Sequence, residues 1–163
     1  MKTKKLTVMA IAVTLAMILS FVESQIPAFV AIPGVKIGLA NIAVVFALYK
    51  LGWKEAVVIS FVRVFMVSML FGSVASLFYS AAGAAVSLTG MILLKKLPAF
   101  SFVSVSVIGG VLHNMGQIAM ACILLETNIW KYYLPFLVLS GTIAGIVVGI
   151  VSAIIVKRVD VKI

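Results

Sequence analysis

Long apolar runs, separated by short breaks rich in polar residues, glycine or proline, dominate the pattern of this chain. Apolar runs of about 18 residues or more are typical of helices that cross a membrane. The predicted helices are Leu6–Val22, Gly38–Leu51, Lys54–Phe71, Ser73–Leu94, Phe102–Leu125 and Tyr132–Val156. The pattern therefore predicts an all-α membrane protein with six transmembrane helices, in which residues 1–163 form a single integral membrane domain.

Composition agrees with this prediction. The chain is 64% hydrophobic and 10% charged, whereas a soluble domain carries about 25% charged residues. The basic and then apolar start resembles a signal peptide, but it has no clear A-x-A cleavage site and further apolar runs follow, so we expect a retained first helix. The single cysteine, Cys122, allows no disulfide within the chain.

The basic residues lie in short clusters at the ends of the predicted helices. A net charge of +9 is compatible with nucleic-acid binding, but this clustering is what the positive-inside rule predicts for a membrane protein. One side holds Lys2, Lys4, Lys5, Lys50, Lys54, Lys95, Lys96, Lys157, Arg158 and Lys162. The other holds only Lys36 and Lys131, and Arg63 lies inside helix 3. We therefore expect a multi-pass protein of the cell (cytoplasmic) membrane, without a nucleic-acid partner and with both termini in the cytoplasm.

The segment Glu23–Asn41 joins the first two helices and is unusually apolar for a loop that contains two prolines and two glycines. Helix 2, with about 14 residues, is roughly 21 Å long, whereas the hydrocarbon core is about 30 Å thick. If helix 2 ends at Lys50, the preceding irregular backbone lies at membrane depth, where it must be buried by protein or line a cavity. We predict a partly embedded segment that covers an outward-facing cavity. A tilted helix 2, or one that extends back to Val35 as a plain span, is the alternative.

Several polar side chains are predicted near the middle of the membrane. Arg63 is nine residues from Lys54, hence about 14 Å deep, and His113 is near the centre of helix 5. A charge at this depth is costly unless it meets water or a partner, so such residues are functional candidates. The predicted substrate-binding residues are Glu23, Lys36, Asn41, Arg63, Tyr79, His113, Asn114 and Gln117.

Each of these candidates also has a structural interpretation. Asn114 and Gln117 could join helices by hydrogen bonds, His113 could be a neutral core histidine, Tyr79 could pack as an aromatic ring, and Arg63 could form an ion pair. If they are functional, Lys36, Arg63 and His113 together favour anions and predict a ligand that carries a carboxylate or phosphate on an apolar body.

The residues that most enzymes need are scarce. The chain has one aspartate, Asp160, so it cannot form an Asp-rich Mg²⁺-diphosphate motif, and it contains no Walker motif. One histidine and one cysteine without neighbouring carboxylates do not make a metal site, and no nucleophile, base and acid set is evident. We expect a chain that is not an enzyme by itself and has no metal site and no cofactor.

Small residues recur at helical spacing in helix 1, where Ala12, Ala16 and Ser20 follow each other at intervals of four. Small residues at this spacing let helix backbones approach closely in lipid. The stripe either packs within this bundle or faces another subunit, and Ala12 and Ala16 are the candidates for a partner interface.

Two long motifs carry a resemblance to a known family. They are Glu23-Ser24-x-Ile26-Pro27 with Pro33-Gly34-x-Lys36-x-Gly38-Leu39-Ala40-Asn41, and Val105-Ser106-x-x-Gly109-Gly110-x-x-His113-Asn114-x-Gly116-Gln117. With Arg63 and Leu77-x-Tyr79-Ser80, they resemble the bacterial Gx transporter family, whose members are often labelled heptaprenyl diphosphate synthase component I. The resemblance covers nearly the whole chain.

This resemblance implies a relation to the substrate-binding S components of energy-coupling factor transporters. Those proteins are six-helix bundles that capture vitamins or metals from outside and work with two ATPases and a scaffold subunit. In many of them an Ala-x-x-x-Ala stripe on helix 1, which Ala12 and Ala16 resemble, meets the scaffold, and the helix 1–2 loop helps to cover the ligand. The family label implies a link to prenyl diphosphate synthesis, and relatives are linked to flavin-dependent extracellular electron transfer.

We therefore expect a substrate-binding membrane subunit of a small-molecule uptake transporter, with an anionic ligand that enters from the outer face. The alternative is a non-catalytic membrane accessory subunit of isoprenoid or quinone biosynthesis, or of flavin and quinone electron transfer. The sequence does not identify the ligand.

Overall fold

The computed structural model describes residues 2–25, 38–128 and 130–160, which form six helices. The helices are α1 (Lys2–Gln25), α2 (Asn41–Lys50), α3 (Trp53–Phe71), α4 (Val74–Lys95), α5 (Phe102–Leu125) and α6 (Trp130–Arg158). The described part of the chain contains no strand, so the all-α class is confirmed.

The ends of α4 and α5 follow from their local sequence. Ser73 caps α4 by accepting a hydrogen bond from the backbone N–H of Ser76, and the Ser76 hydroxyl receives one from the Ser73 N–H. Ser101 caps α5 in the same way, through the Ser104 N–H. These caps satisfy backbone donors that the first helical turn leaves free, so the predicted boundaries of both helices hold within one residue.

The six helices form a closed ring. Each packs against two neighbours in the order α1, α3, α4, α5, α6, α2 and back to α1, while α2 also reaches across to α3. The most extensive packing in the bundle is that of α5 against α4 and α6.

Glycines allow α5 to approach both of its neighbours closely. A Cβ atom on Gly149 of α6 would lie 2.9 Å from the Val103 Cα atom, and one on Gly116 of α5 would lie 2.8 Å from the Gly83 Cα atom of α4. Such contacts between backbones let helices pack in lipid, where the hydrophobic effect does not drive their association. The glycines of α4 and α6 therefore serve packing within the chain.

Four of the described helices, α1, α4, α5 and α6, are long and apolar enough to cross a membrane. The third helix has 19 residues but contains Lys54, Glu55 and Arg63. The second has 10 residues, hence a length of about 15 Å, half of the hydrocarbon core. Large apolar side chains such as Phe61 and Ile123 are 70% exposed, which is compatible with contact with lipid.

The ends of α1 and α2 differ from the prediction. Helix α1 extends to Gln25, so Glu23 lies in its last turn and not in a loop. Helix α2 begins at Asn41 and not at Gly38, because Gly38 has φ +78° and cannot belong to a right-handed helix. A short turn, in which the N–H of Asn41 donates to the carbonyl oxygen of Gly38 at 2.9 Å, opens α2 instead.

The stripe of small residues on α1 packs inside the bundle. Ala12 is 4% exposed and Ala16 is fully buried, and both belong to apolar clusters that contain residues of α2, including Val44 and Ala43. Packing within the bundle, the first of the two interpretations, therefore describes most of their surface, and a partner interface at Ala12 and Ala16 stays a prediction. Their side chains bring α1 close to the short α2, and a subunit that meets α1 would contact its exposed face.

Charged side chains hold the helices together at the end of the bundle where the chain starts. The Lys5 Nζ atom lies 2.5 Å from the Glu55 Oε1 atom, which joins α1 to α3. The Lys95 ammonium donates to the backbone carbonyl of Leu48 at 2.6 Å and lies 4.8 Å from the centre of the Tyr49 ring. Lys95, at the end of α4, thus binds a carbonyl in the last turn of α2 that has no partner within the helix.

Replacing Lys95 by methionine should lower the free energy of unfolding by about 2 kcal/mol, because hydrogen bonds to charged groups contribute about 1.5–3 kcal/mol. Methionine keeps most of the apolar stem that packs on Tyr49. Unfolding of purified protein in detergent, followed by circular dichroism, measures the change. The matched control is Lys96→Met, which removes an exposed neighbouring charge. Equal stabilities of the two variants would contradict a role for the Lys95–Leu48 contact.

Candidate functional site

A cavity of about 250 Å³ lies inside the ring, towards the end of the bundle at which α1 and α3 end and α2 and α4 begin. Residues from all six helices, together with Gly38 and Gly72 next to them, line it. Its polar lining residues are Ser20, Glu23, Ser24, Asn41, Arg63, Ser68, Ser76, Ser80, His113, Asn114 and Gln117. The predicted cavity is therefore present, and most of the predicted site residues line it.

Arg63 is the most deeply buried charge that the structure describes at this site. The residue is 9% exposed, and its Nε atom has no hydrogen-bond partner within the described parts of the chain. Burying a charged group without partners costs several kcal/mol. The buried guanidinium therefore holds a donor without a partner among the described residues, next to a cavity that a polar ligand or water can fill.

Glu23 connects the cavity wall to the start of α2. Its carboxylate accepts a hydrogen bond from the backbone N–H of Gly38 and also interacts electrostatically with Arg63. One carboxylate at the end of α1 thus acts on both α2 and α3. This charge interaction supports the interpretation that Arg63 forms an ion pair, with Glu23 as its partner.

His113 and Gln117 lie one helical turn apart on α5, against Gly83 of α4. A Cβ atom on Gly83 would be 2.8 Å from the Gln117 Cγ atom and 3.1 Å from the His113 Cε1 atom. Only a glycine leaves room for these two side chains at the cavity wall. Asn41, the first residue of α2, completes this group of predicted residues.

Asn114 has a structural role in addition to its place at the cavity. Its side-chain amide donates to the backbone carbonyl of Leu137 at 2.8 Å and to the Ser140 hydroxyl at 3.1 Å. Both acceptors belong to α6, so Asn114 joins α5 to α6 by hydrogen bonds. The interpretation of Asn114 as a residue that joins helices by hydrogen bonds therefore holds for its amide nitrogen.

Two predicted site residues are not brought to this cavity. Tyr79 of α4 is half-buried but does not line the cavity, which its neighbour Ser80 does. Lys36, together with Pro27, Pro33 and Gly34, lies outside the described residues. The proposed covering of the cavity by the segment before α2 therefore stays a prediction.

Serines that the sequence analysis did not predict as site residues make up much of the polar wall. They are Ser20 and Ser24 on α1, Ser68 on α3, and Ser76 and Ser80 on α4. The signal was present, because two of these pairs are spaced by four residues and thus share a helix face. Serine is common at helix–helix contacts in membranes, so spacing alone could not separate cavity serines from packing serines.

The part of the chain that the structure describes holds no group of three or more His, Cys, Asp or Glu side chains that could bind a metal ion. Beside apolar side chains such as Val67 and Phe71, the described lining of the cavity presents one guanidinium, one carboxylate, one imidazole, amides and hydroxyls. Such an arrangement offers hydrogen bonds and a fixed positive charge to a small polar ligand.

A comparison with models of protein families found one that matches residues 12–155, described as heptaprenyl diphosphate synthase component I. The chain belongs to this family. The match includes every described cavity residue and confirms the family that the two sequence motifs indicated. Comparisons with curated proteins and with solved structures found no match.

Proposed function

We propose that this member of the family is the substrate-binding membrane subunit of a small-molecule uptake transporter, of the energy-coupling factor S-component type. In this proposal both termini are cytoplasmic, the cavity opens to the outer face, and the ligand is a small anion. The chain binds the ligand but does not itself catalyse a reaction or hydrolyse ATP.

The observation that carries this proposal is the buried Arg63 at the wall of a 250 Å³ cavity, with an Nε atom that has no partner among the described residues. A carboxylate or phosphate group can accept from a guanidinium with strong, charge-assisted hydrogen bonds. The surrounding serines, amides and His113 can bind further polar atoms of the ligand. Intramembrane charges that face a cavity commonly mark such binding sites.

The charge distribution supports entry of the ligand from the outer face. The cavity lies at the end of the bundle opposite to Lys4, Lys50, Lys95 and Arg158. The positive-inside rule assigns the basic end to the cytoplasm. Because the described chain offers no ATP-binding motif, uptake would use partner subunits, namely a scaffold and ATPases of an energy-coupling factor module.

A second candidate is a non-catalytic membrane accessory subunit of isoprenoid or quinone biosynthesis. The description of the family, which names a component of heptaprenyl diphosphate synthase, favours it. In that case the chain would associate with a prenyl diphosphate synthase, and its cavity would not deliver a ligand across the membrane.

Affinity purification of the tagged chain from its own cells, in a mild detergent, separates the two candidates. For the transport subunit we expect co-purification of ATPase and scaffold subunits, and about one anionic small molecule per chain in a solvent extract analysed by mass spectrometry. Co-purification with a prenyl diphosphate synthase, with no retained small molecule, would support the accessory subunit and contradict the transport proposal.

A further inference from the structure

A second, apolar hollow lies on the outside of the bundle, and nothing in the proposed function uses it. It encloses about 920 Å³ between α1 and α6, with α2 as its floor. We name it the α1–α6 groove. Its walls include Ile11 and Leu15 of α1 and Val151 and Ile155 of α6, and its floor includes Phe46. The groove is present because α1 and α6 each pack on α2 but do not pack closely against each other among the described residues.

The groove offers almost no hydrogen-bonding group along its length. Between Lys4 and Asp160 at one end and Leu19 at the other, Thr7 is the only polar side chain among the described residues that line it. The Thr7 hydroxyl already donates to the carbonyl of Thr3 at 3.0 Å. The occupant of this groove therefore needs an apolar body. From Thr7 to Leu19 the groove is about 18 Å long, which is close to the share of one leaflet, about 15 Å, in the hydrocarbon core.

One end of the groove is charged, and the balance there is positive. Lys4 and Asp160 line this end. Arg158 follows Val151 by seven residues, which places it on nearly the same face of α6, about 20° away. Lys157 and Arg158 are both exposed in the last turn of α6. With Lys4, Arg158 gives this end two basic side chains against one carboxylate, because Lys157 lies about 120° from Val151 and faces away. This balance favours an anionic group beside the apolar body.

We propose that the α1–α6 groove binds one acidic phospholipid, whose acyl chains lie on α2 and whose phosphate faces Lys4 and Arg158. The lipid belongs to the leaflet on the basic side of the bundle. It covers the part of α2 that no other described helix covers, and so completes the wall behind the cavity. This inference does not depend on the identity of the transported ligand.

The test uses the purified full-length chain in nanodiscs of equal parts phosphatidylglycerol and phosphatidylcholine, analysed by native mass spectrometry. We expect one retained phosphatidylglycerol per chain. In Lys4→Gln/Arg158→Gln its retention should fall about 25-fold, since one basic side chain near a membrane surface contributes about fivefold. The control Lys54→Gln/Lys96→Gln removes two exposed charges at the same end of the bundle and should retain the lipid. Equal retention of both lipids, or equal loss in both variants, overturns the proposal.

Fluorescence quenching gives a second measurement that does not need charge variants. With Trp53 and Trp130 replaced by phenylalanine, Leu15→Trp places a single tryptophan in the groove, and brominated phosphatidylglycerol should quench it above the level that random mixing gives. In the same background, Leu139→Trp, at a position that is 60% exposed on α6 outside the groove, should show random mixing. Random mixing at Leu15 overturns the proposal. Protection of Leu15 from both lipids, as a polypeptide in the groove would cause, also overturns it.

Discussion

Replacing Arg63 by glutamine is expected to remove the retained anionic compound from the purified protein, with a loss of affinity of at least about 30-fold, or about 2 kcal/mol. The Arg63 guanidinium is a buried positive charge that lines the cavity, and its Nε atom has no hydrogen-bond partner among the described residues. Glutamine keeps a hydrogen-bond donor but removes the charge. Mass spectrometry of solvent extracts from equal amounts of folded wild type and variant measures the result.

Two further variants make this result specific. Lys96→Gln removes an exposed basic side chain outside the cavity and should retain the compound. Glu23→Gln/Arg63→Gln removes both charges of the interacting pair and leaves no unpaired charge in the cavity wall, so it should insert and fold but still fail to bind. Retention of the same compound by Arg63→Gln would eliminate Arg63 as the ligand-binding group.

Replacing Gly145 by valine should lower the free energy of unfolding by about 3 kcal/mol, the upper part of the usual range for overpacked sites. A Cβ atom on Gly145 would lie 2.8 Å from the Ser106 carbonyl oxygen and would also collide with the Cα atom of Val107. Both neighbours are backbone atoms of α5, so they cannot move without separating α5 from α6. Unfolding of the purified variants in detergent, followed by circular dichroism, measures the effect.

The control for this substitution is Val147→Ile, two residues further along α6. Val147 is 43% exposed, so an added carbon there meets lipid or detergent and should leave stability within about 0.5 kcal/mol of the wild type. If Gly145→Val were as stable as Val147→Ile, the close approach of α5 and α6 at Gly145 would be refuted.

The sequence predicted most of the helices because their signals are local. Apolar runs define the bodies of α3 to α6, and the serines before α4 and α5 mark where those helices begin. The ends of α1 and α2 were less accurate. Glu23 continues α1 although polar residues precede prolines there, and Gly38, with its positive φ, moves the start of α2 to Asn41.

The site was predicted in part, for a physical reason. Arg63, His113 and Gln117 are expensive at membrane depth, so their presence in apolar runs is enough to indicate a cavity. The serines of the wall carry no such cost, and Tyr79 could pack on either side of α4. Which face of α1 turns inward also depends on the short α2, against which Ala12 and Ala16 pack.

A charged side chain from another helix lies at each end of the short α2, a negative one near its start and a positive one near its end. The Glu23 carboxylate binds the Gly38 N–H before its start, and the Lys95 ammonium binds the Leu48 carbonyl near its end. A helix dipole is positive at the start and negative at the end, so both charges stabilise it. Ten residues form a helix of marginal stability by themselves. An anion that draws Arg63 away from Glu23 would therefore change the electrostatic field at the start of α2.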